Sequence, residues 1–333
     1  MFKLYVALIL GGVLVMGIYE SVETAILNAG IRLDQPHTLK AVGYANLLLL
    51  ISTALYFIHL WRGPGLTGRL ASVFASVGTV ALGLNLAMRW METYYLHRPG
   101  HVPFNVLYEV LAAFSIVTLV IYLVMERVYR TRTAGAFVMS IVMVAALFQI
   151  WLTATGQAVT GYRFPVLLNY WKYAHVLGNL IGVGAFAVAA AMGAACLSGY
   201  VRRRPATGDF FAQSMPTAAR LAHSMHFSIM VGFPAFTVAT VLGAWWAYES
   251  WGPDWAWLMQ EILALAVWLI YASYFYFRHM RKWSDERMAG WAILGFAAVL
   301  FLCLAVTVFS RGPHAFCCTE LSLWQRSLSM PGI

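Results

Sequence analysis

Long apolar runs are the feature that most constrains this chain. Stretches of roughly 18–24 apolar residues recur along its length, and about 20 such residues are enough to cross a hydrocarbon core about 30 Å thick. Only 11% of the residues are charged, against about 25% in a typical soluble domain. This pattern excludes a soluble enzyme, a disordered chain and a porin-like β-barrel. It predicts an all-α fold, a polytopic bundle of membrane helices.

Nine membrane spans can be drawn from these runs. Their approximate bounds are residues 4–20, 42–61, 70–89, 104–125, 135–154, 174–198, 226–247, 258–277 and 289–309. The first run ends without a small-residue cleavage site, so we interpret it as a retained helix rather than a signal peptide. No repeat or Pro/Ser-rich linker divides the chain, which predicts a single bundle.

The distribution of lysine and arginine predicts the orientation of this bundle. Alternate connections between spans hold fourteen basic residues on one side and eight on the other. By the positive-inside rule, the N-terminus lies inside and the C-terminus outside, in a multi-pass protein of the cytoplasmic membrane. The net charge of +9 is therefore explained by membrane topology, and nucleic acid is not an expected partner.

The predicted topology sorts the nine histidines into two groups. The outer group is His37, His97, His101, His175 and His314, and the inner group is His59, His223, His226 and His279. A single histidine near an interface is usually a loop residue, but ionisable groups within spans usually face the bundle interior. Since five outer histidines surround one aromatic segment, they are candidate ligands as a set.

Two inner histidines, His223 and His226, are three residues apart and share a predicted helical face. They are interpreted either as a solvated helix end or as a site for incoming haem or a quinone headgroup.

A tryptophan-rich segment is predicted to form the loop between the seventh and eighth spans. Its five tryptophans fall within thirteen residues: Trp245, Trp246, Trp251, Trp255 and Trp257. An interfacial aromatic belt would explain one or two tryptophans per span end. This density, with a bend at Gly252-Pro253, favours a platform for a large planar apolar ligand. Haem is the obvious candidate, and neutral imidazoles are its simplest axial ligands.

These residues resemble the CcsA/ResC family of cytochrome c-type biogenesis proteins. The similar stretches are Gly100–Glu109, Tyr173–Val176, Gly232–Pro234, Leu242–Ala244 with the tryptophan segment, Trp268–Arg278 and Gly312–His314. The resemblance divides the chain into N-terminal membrane helices (1–99), a CcsA-like haem-handling membrane domain (100–316) and a short extracytoplasmic tail (317–333).

The resemblance implies a set of residues that hold haem b. His175 and His314 would be the external axial ligands of the iron, beside a platform of Trp246, Trp251, Trp255 and Trp257. His101, Glu261 and His279 are the further candidate cofactor-binding residues.

The sequence departs from the family at two places. The family's D-P-K-E-T-W after the tryptophans is replaced by Leu258–Leu263, in which only Glu261 keeps its acidic character. This carboxylate is interpreted either as fixing a ligand or relaying protons, or as a structural polar group. Tyr276 stands where the family has an intramembrane histidine, and His279 lies about one helical turn further on.

Three functions remain open from the sequence, and whether the protein is an enzyme stays undecided. The first is a biogenesis factor that presents haem at an extracytoplasmic site to apocytochrome c, together with a partner membrane protein. The second is a b-type haem subunit that passes electrons between quinol and an extracytoplasmic multihaem cytochrome. The third is a transporter of a hydrophobic cofactor with no bound metal.

Overall fold

The computed structural model describes residues 37–62, 65–96, 102–104, 106–130, 132–154, 170–201, 218–251 and 259–309. Within these ranges the chain forms eight α-helices and one short 3-10 turn, and none of these residues belongs to a strand. The helices are α1 (His37–Arg62), α2 (Leu66–Leu96), α3 (Leu107–Tyr129), α4 (Gly135–Ala154), α5 (Tyr170–Val201), α6 (Ala218–Trp251), α7 (Met259–His279) and α8 (Asp285–Phe309).

All eight helices are long and apolar enough to cross a membrane. They confirm the second to ninth predicted spans and the polytopic helical fold, while the first predicted span (4–20) lies outside the described residues. Most helices extend beyond the predicted spans; α6, for example, begins at Ala218 instead of 226 and ends at Trp251 instead of 247. An α-helix satisfies its own backbone hydrogen bonds, so it continues through polar residues at the membrane surface.

Contacts show that α1 and α2, α5 and α6, and α7 and α8 run antiparallel; for α5 and α6, Gly178 approaches Ala239 and Gly193 approaches Met225. Ser52 of α1 donates to the Ala71 carbonyl of α2, and Arg278 at the end of α7 pairs with Asp285 at the start of α8. The bundle therefore has two ends. The tryptophan end contains the start of α5, the end of α6 and the start of α7, and the opposite end contains the start of α6 and the end of α7.

Helix α5 lies at the centre of the described bundle. Every residue from Ala185 to Met192 is buried, so this helix is covered on all sides, as expected for a helix that is apolar all round. Its small residues bring it close to α6. A Cβ atom on Gly182 would lie 2.9 Å from the Phe236 Cβ and 3.2 Å from the Gly232 carbonyl oxygen. Such close approach of small residues is a main source of helix association in lipid.

Buried charged residues connect the N-terminal helices. At the tryptophan end, Arg89 of α2 pairs with the fully buried Glu109 of α3 at 3.4 Å. At the opposite end, the buried carboxylate of Glu126 in α3 accepts hydrogen bonds from the Tyr56 hydroxyl at 2.6 Å and from Arg132 Nε at 3.2 Å. Because an intramembrane carboxylate is costly without such partners, these contacts fix α1, α2 and α3 relative to one another.

Replacing Gly182 with alanine tests the close packing of α5 on α6. Gly182→Ala adds one methyl group where no space exists, and we expect it to lower the free energy of unfolding by about 1–3 kcal/mol. The measurement is thermal unfolding of the detergent-purified protein.

The matched control is Gly83→Ala in α2, where nothing lies within 4 Å of an added Cβ. Alanine is the better helix former, so this variant should be unchanged or more stable by up to about 1 kcal/mol. Equal melting temperatures for Gly182→Ala and the wild type would contradict the close approach.

Candidate functional site at the tryptophan end

Helices α5 and α6 bring His175 and Trp246 together. Their ring centroids are 6.3 Å apart. His175 lies near the start of α5, whereas Ala239, Gly243 and Trp246 follow one another on α6 at spacings of four and three residues. Such spacings place residues on one face of a helix, and this face of α6 packs against α5. The site is therefore an extension of the central helix contact.

The hydrogen bonds of His175 determine its tautomer. Its Nδ1 lies 2.8 Å from the backbone carbonyl oxygen of Ala239. Because a carbonyl oxygen only accepts, Nδ1 carries the hydrogen and Nε2 carries the lone pair. The Asn179 amide nitrogen lies 3.1 Å from Nε2 and donates to it. A backbone carbonyl bonded to Nδ1–H is a common support for a metal-ligating histidine, since it orients the ring and leaves Nε2 as the ligand atom.

Gly243 provides the space that the His175 ring occupies. A Cβ atom at this position would overlap the Nδ1 and Cε1 atoms of the ring. Any residue larger than glycine would therefore push the imidazole away from α6 and from the Ala239 carbonyl. The glycine is part of the site, although it has no functional group of its own.

The part of the tryptophan segment that the structure describes, up to Trp251, is helical, so the prediction of a loop is wrong for this part. Helix α6 continues through Trp245 and Trp246 to Trp251. Trp246 is only 2% exposed, whereas Trp245 is 52% exposed, and the Trp245 indole donates to Glu249 Oε1 at 2.9 Å. Neighbouring residues on a helix point about 100° apart, so only the second of these two indoles faces His175.

The other candidate residues of this end are described only in part. Trp251 is the last residue of α6, and Glu261 is half-buried in the first turn of α7, at the same end of the bundle. Four candidates lie outside the described residues: His101, Trp255, Trp257 and His314.

His279 lies at the opposite end, away from His175. It is the last residue of α7, and its ring is 5.9 Å from the ring of His226 on α6. Tyr276, at the position of the family's intramembrane histidine, is 53% exposed. His223 contacts Tyr129 of α3 at 5.4 Å, so His223 and His226 contact different helices despite their spacing of three residues.

Comparison with known proteins identifies the family. A sequence model of the family described as "Cytochrome C assembly protein" matches residues 105–314, which is more than half of the chain. The protein belongs to the cytochrome c assembly family. The matched region contains both His175 and the tryptophan segment.

Curated relatives agree with this family. The chain is 25% identical to the cytochrome c biogenesis protein CcsA of Gloeobacter violaceus, over 80% of this chain and 92% of that protein. It is 27% identical to CcsA of Pyropia yezoensis, over 80% of this chain and 93% of that protein.

A solved structure, the cytochrome c heme lyase CcmF, has a similar fold. It aligns with a TM-score of 0.58 and 18% identity. The alignment covers 86% of this chain and 49% of CcmF, so the chain spans about half the length of that protein.

Three residues of this assembly protein's site were not identified from the sequence. Ala239 acts through its backbone carbonyl and Gly243 through its lack of a side chain, so neither carries a chemical signal. Asn179 could have been identified, because it lies four residues after His175 and therefore next to it on a helix.

A Gly243→Ala substitution tests the position of the imidazole. The added methyl group should displace the His175 ring and cost about 1–3 kcal/mol of stability. Diethyl pyrocarbonate should then modify His175 faster, as followed by mass spectrometry, because the ring nitrogens lose their partners. Gly290→Ala in α8, where an added Cβ meets nothing within 4 Å, should leave the rate unchanged. If His175 were modified at the same rate in Gly243→Ala and in the wild type, the ring would not lie against Gly243.

Proposed function

We propose that this cytochrome c assembly protein holds haem b at the tryptophan end and presents it to an apocytochrome c. The observation that carries the proposal is the state of His175. Its Nδ1–H is bonded to the Ala239 carbonyl, its Nε2 has the lone pair, and the buried indole of Trp246 lies beside it. An oriented neutral imidazole next to a flat apolar surface is what a haem iron and its porphyrin ring require.

The described side chains of His175 and Trp246 fit such a cofactor. His175 would hold the iron through Nε2, together with His314, and Trp246, Trp251, Trp255 and Trp257 would form the platform. His101 and Glu261 are further binding residues in this proposal. Asn179, which occupies Nε2, would give up its hydrogen bond when the metal is ligated.

In this arrangement the protein positions the haem, and the apocytochrome c provides the groups that react with it. Bound haem supplies the vinyl groups to which the cysteine thiols of the apocytochrome add. The chain's own contribution is to fix the orientation of one imidazole, to cover one face of a planar ligand with indole and to hold the site at a membrane surface. No residue of this chain is required as a nucleophile.

The setting of the site follows from the predicted topology. We place the protein in the cytoplasmic membrane, with its N-terminus inside and the tryptophan end on the extracytoplasmic side, where a partner membrane protein and the apocytochrome would meet it. Residues 100–316 would form the haem-handling unit, with residues 1–99 as additional membrane helices and residues 317–333 as an extracytoplasmic tail.

The second candidate function is electron transfer between quinol and a multihaem cytochrome. One observation favours it, namely that the described histidines lie at both ends of the bundle, as an electron path across a membrane would need. Haem that is stoichiometric, reversibly reduced and co-purified with a multihaem cytochrome would support this second function. Substoichiometric haem with loss of cytochrome c in a deletion strain would support assembly.

Substitution of His175 tests the proposed function. In a deletion strain complemented with His175→Ala, the amount of c-type cytochrome should be lower than with the wild-type protein by a factor of about 10 or more, as measured by haem staining. The purified variant should also contain less haem than the wild-type protein. The control is His223→Ala, which removes an exposed imidazole at the other end and should leave maturation intact.

A matched pair of tryptophan variants tests the platform in the same strain. Trp246→Leu should reduce maturation and haem content, because it removes the buried indole beside His175. Trp245→Leu alters its exposed neighbour and should have little effect. Full maturation and unchanged haem spectra in both His175→Ala and Trp246→Leu would refute the proposal.

A further inference from the structure

One face of α6 is exposed along most of its length. Arg220, Phe227, Val231 and Val238 are all exposed, and their spacings of seven, four and seven residues place them on one side of the helix. The other side packs against α5, for example at Phe236. The exposed stripe, defined by these four residues, has an arginine at the start of α6 and apolar side chains further on. It therefore changes from cationic to apolar along the helix.

Tyr129, the last residue of α3, lies against the start of the exposed stripe. Its ring centroid is 6.4 Å from that of Phe227 and 5.4 Å from that of His223, both on α6. Further along the bundle, α3 and α6 each pack on α5. The two helices thus meet at the opposite end of the bundle. The α3–α6 junction is defined by Tyr129 and Arg130 at the end of α3 and by Arg220 and Phe227 on α6.

The residue after Tyr129 has an unusual backbone conformation. Arg130 caps α3 with φ 54° and ψ 46°, in the left-handed region that glycine enters without strain and most other residues avoid. Glycine or asparagine is the usual residue for such a conformation at the end of a helix. The backbone therefore does not account for an arginine at this position. Its side chain is exposed, so the reason for an arginine lies in what the guanidinium group can bind.

Among the described residues of α3, α5 and α6, no exposed carboxylate balances the two arginines of the junction. Glu126 is the acidic residue near the end of α3, and it is buried and bonded to Tyr56 and to Arg132. The described part of α5 contains no acidic residue, and the one in α6, Glu249, lies at the tryptophan end. The α3–α6 junction therefore has an excess of positive charge. The proposed topology places it at the cytoplasmic membrane surface, where anionic lipid headgroups are found.

A phospholipid with an anionic headgroup matches both parts of this surface. Guanidinium groups bind phosphate oxygens through paired, charge-assisted hydrogen bonds, and basic pockets between membrane helices are typical sites for anionic headgroups. The apolar part of the exposed stripe, from Phe227 to Val238, lies within the membrane-spanning stretch of α6, where an acyl chain would lie. Free phosphate would use only the arginines, because it has no apolar part.

We infer that the α3–α6 junction binds one anionic phospholipid. Arg130 and Arg220 hold its phosphate, and an acyl chain lies along the apolar part of the exposed stripe. The bound lipid connects α3, which is fixed to the N-terminal helices, with α6, which carries Trp246. The site lies at the other end of the bundle from His175, so the inference does not depend on the proposed function.

Native mass spectrometry of the full-length, detergent-purified protein tests the lipid site. The added lipid is phosphatidylglycerol, and zwitterionic phosphatidylcholine is the comparison. The wild type should retain one phosphatidylglycerol molecule in preference to phosphatidylcholine. Arg130→Gly and Arg220→Gln should each weaken the binding of phosphatidylglycerol by about 5-fold or more, since each removes one cationic partner of the headgroup.

The matched control is Arg127→Gln, which removes an equal charge near the end of the same helix. Arg127 is exposed, but it lies two residues before Tyr129 and so about 200° around the helix. Its side chain therefore points away from the α3–α6 junction, and the binding of phosphatidylglycerol should be unchanged in this variant.

Arg130→Gly also separates lipid binding from folding. Glycine adopts the left-handed conformation without strain, so the variant should be at least as stable as the wild type in detergent without added lipid. Phosphatidylglycerol should then raise the melting temperature of the wild type more than that of the variant, because a ligand stabilises the folded state that binds it. An arginine with only a structural role would give the reverse, a variant that is less stable without lipid and responds equally to it.

Three further results would overturn the inference. If Arg127→Gln lost as much phosphatidylglycerol as the two junction variants, the general positive charge of this end would explain the binding. If the wild type retained phosphatidylcholine equally well, the anionic headgroup would have no role. If inorganic phosphate displaced phosphatidylglycerol at an equal concentration, the junction would be a site for an anion and not for a lipid.

Discussion

The close contact between α5 and α6 is the interaction on which the rest of the described structure depends. Inside a bilayer, lipid is as apolar as the side chains, so burial of apolar surface does little to hold helices together. Contact between small residues takes its place, with Gly182 facing Gly232 and Gly178 facing Ala239. The same contact continues to Gly243, where His175 lies directly on the backbone of α6. The register of α5 against α6 that allows close contact at the glycines therefore also brings the Ala239 carbonyl oxygen to the His175 Nδ1.

Helices α1 to α4 and helices α5 to α7 contribute differently to the described bundle. The two buried carboxylates of α3, Glu109 and Glu126, are satisfied by partners on α2 and α1. Removing one partner would leave a buried charge uncompensated, so these helices form a fixed scaffold. Helix α5 packs on this scaffold through Gly184, which approaches Val117 and Thr118 of α3. The candidate cofactor-binding residues His175, Trp246 and His279 lie on α5, α6 and α7.

The two ends of α6 have different surroundings. At the tryptophan end, a single imidazole is oriented by a carbonyl and placed beside a buried indole. At the opposite end, two imidazoles from neighbouring helices face each other among aromatic rings. The first arrangement suits a ligand that is presented at a surface and passed on.

The sequence by itself determined the fold class, eight of the spans and the family. A continuous run of about 20 apolar residues crosses lipid as a helix, because a helix satisfies every backbone group within the run itself, and the similar motifs lie in a fixed order along the chain. The sequence did not determine where α6 ends, since helical hydrogen bonding continues past the hydrophobic stretch to Trp251. Only the tertiary structure decided that Trp246 and not Trp245 faces His175, that Ala239 fixes the histidine tautomer and that His226 meets His279. These contacts join residues far apart in sequence, and they depend on the rotation and register of packed helices, which no local pattern of residues specifies.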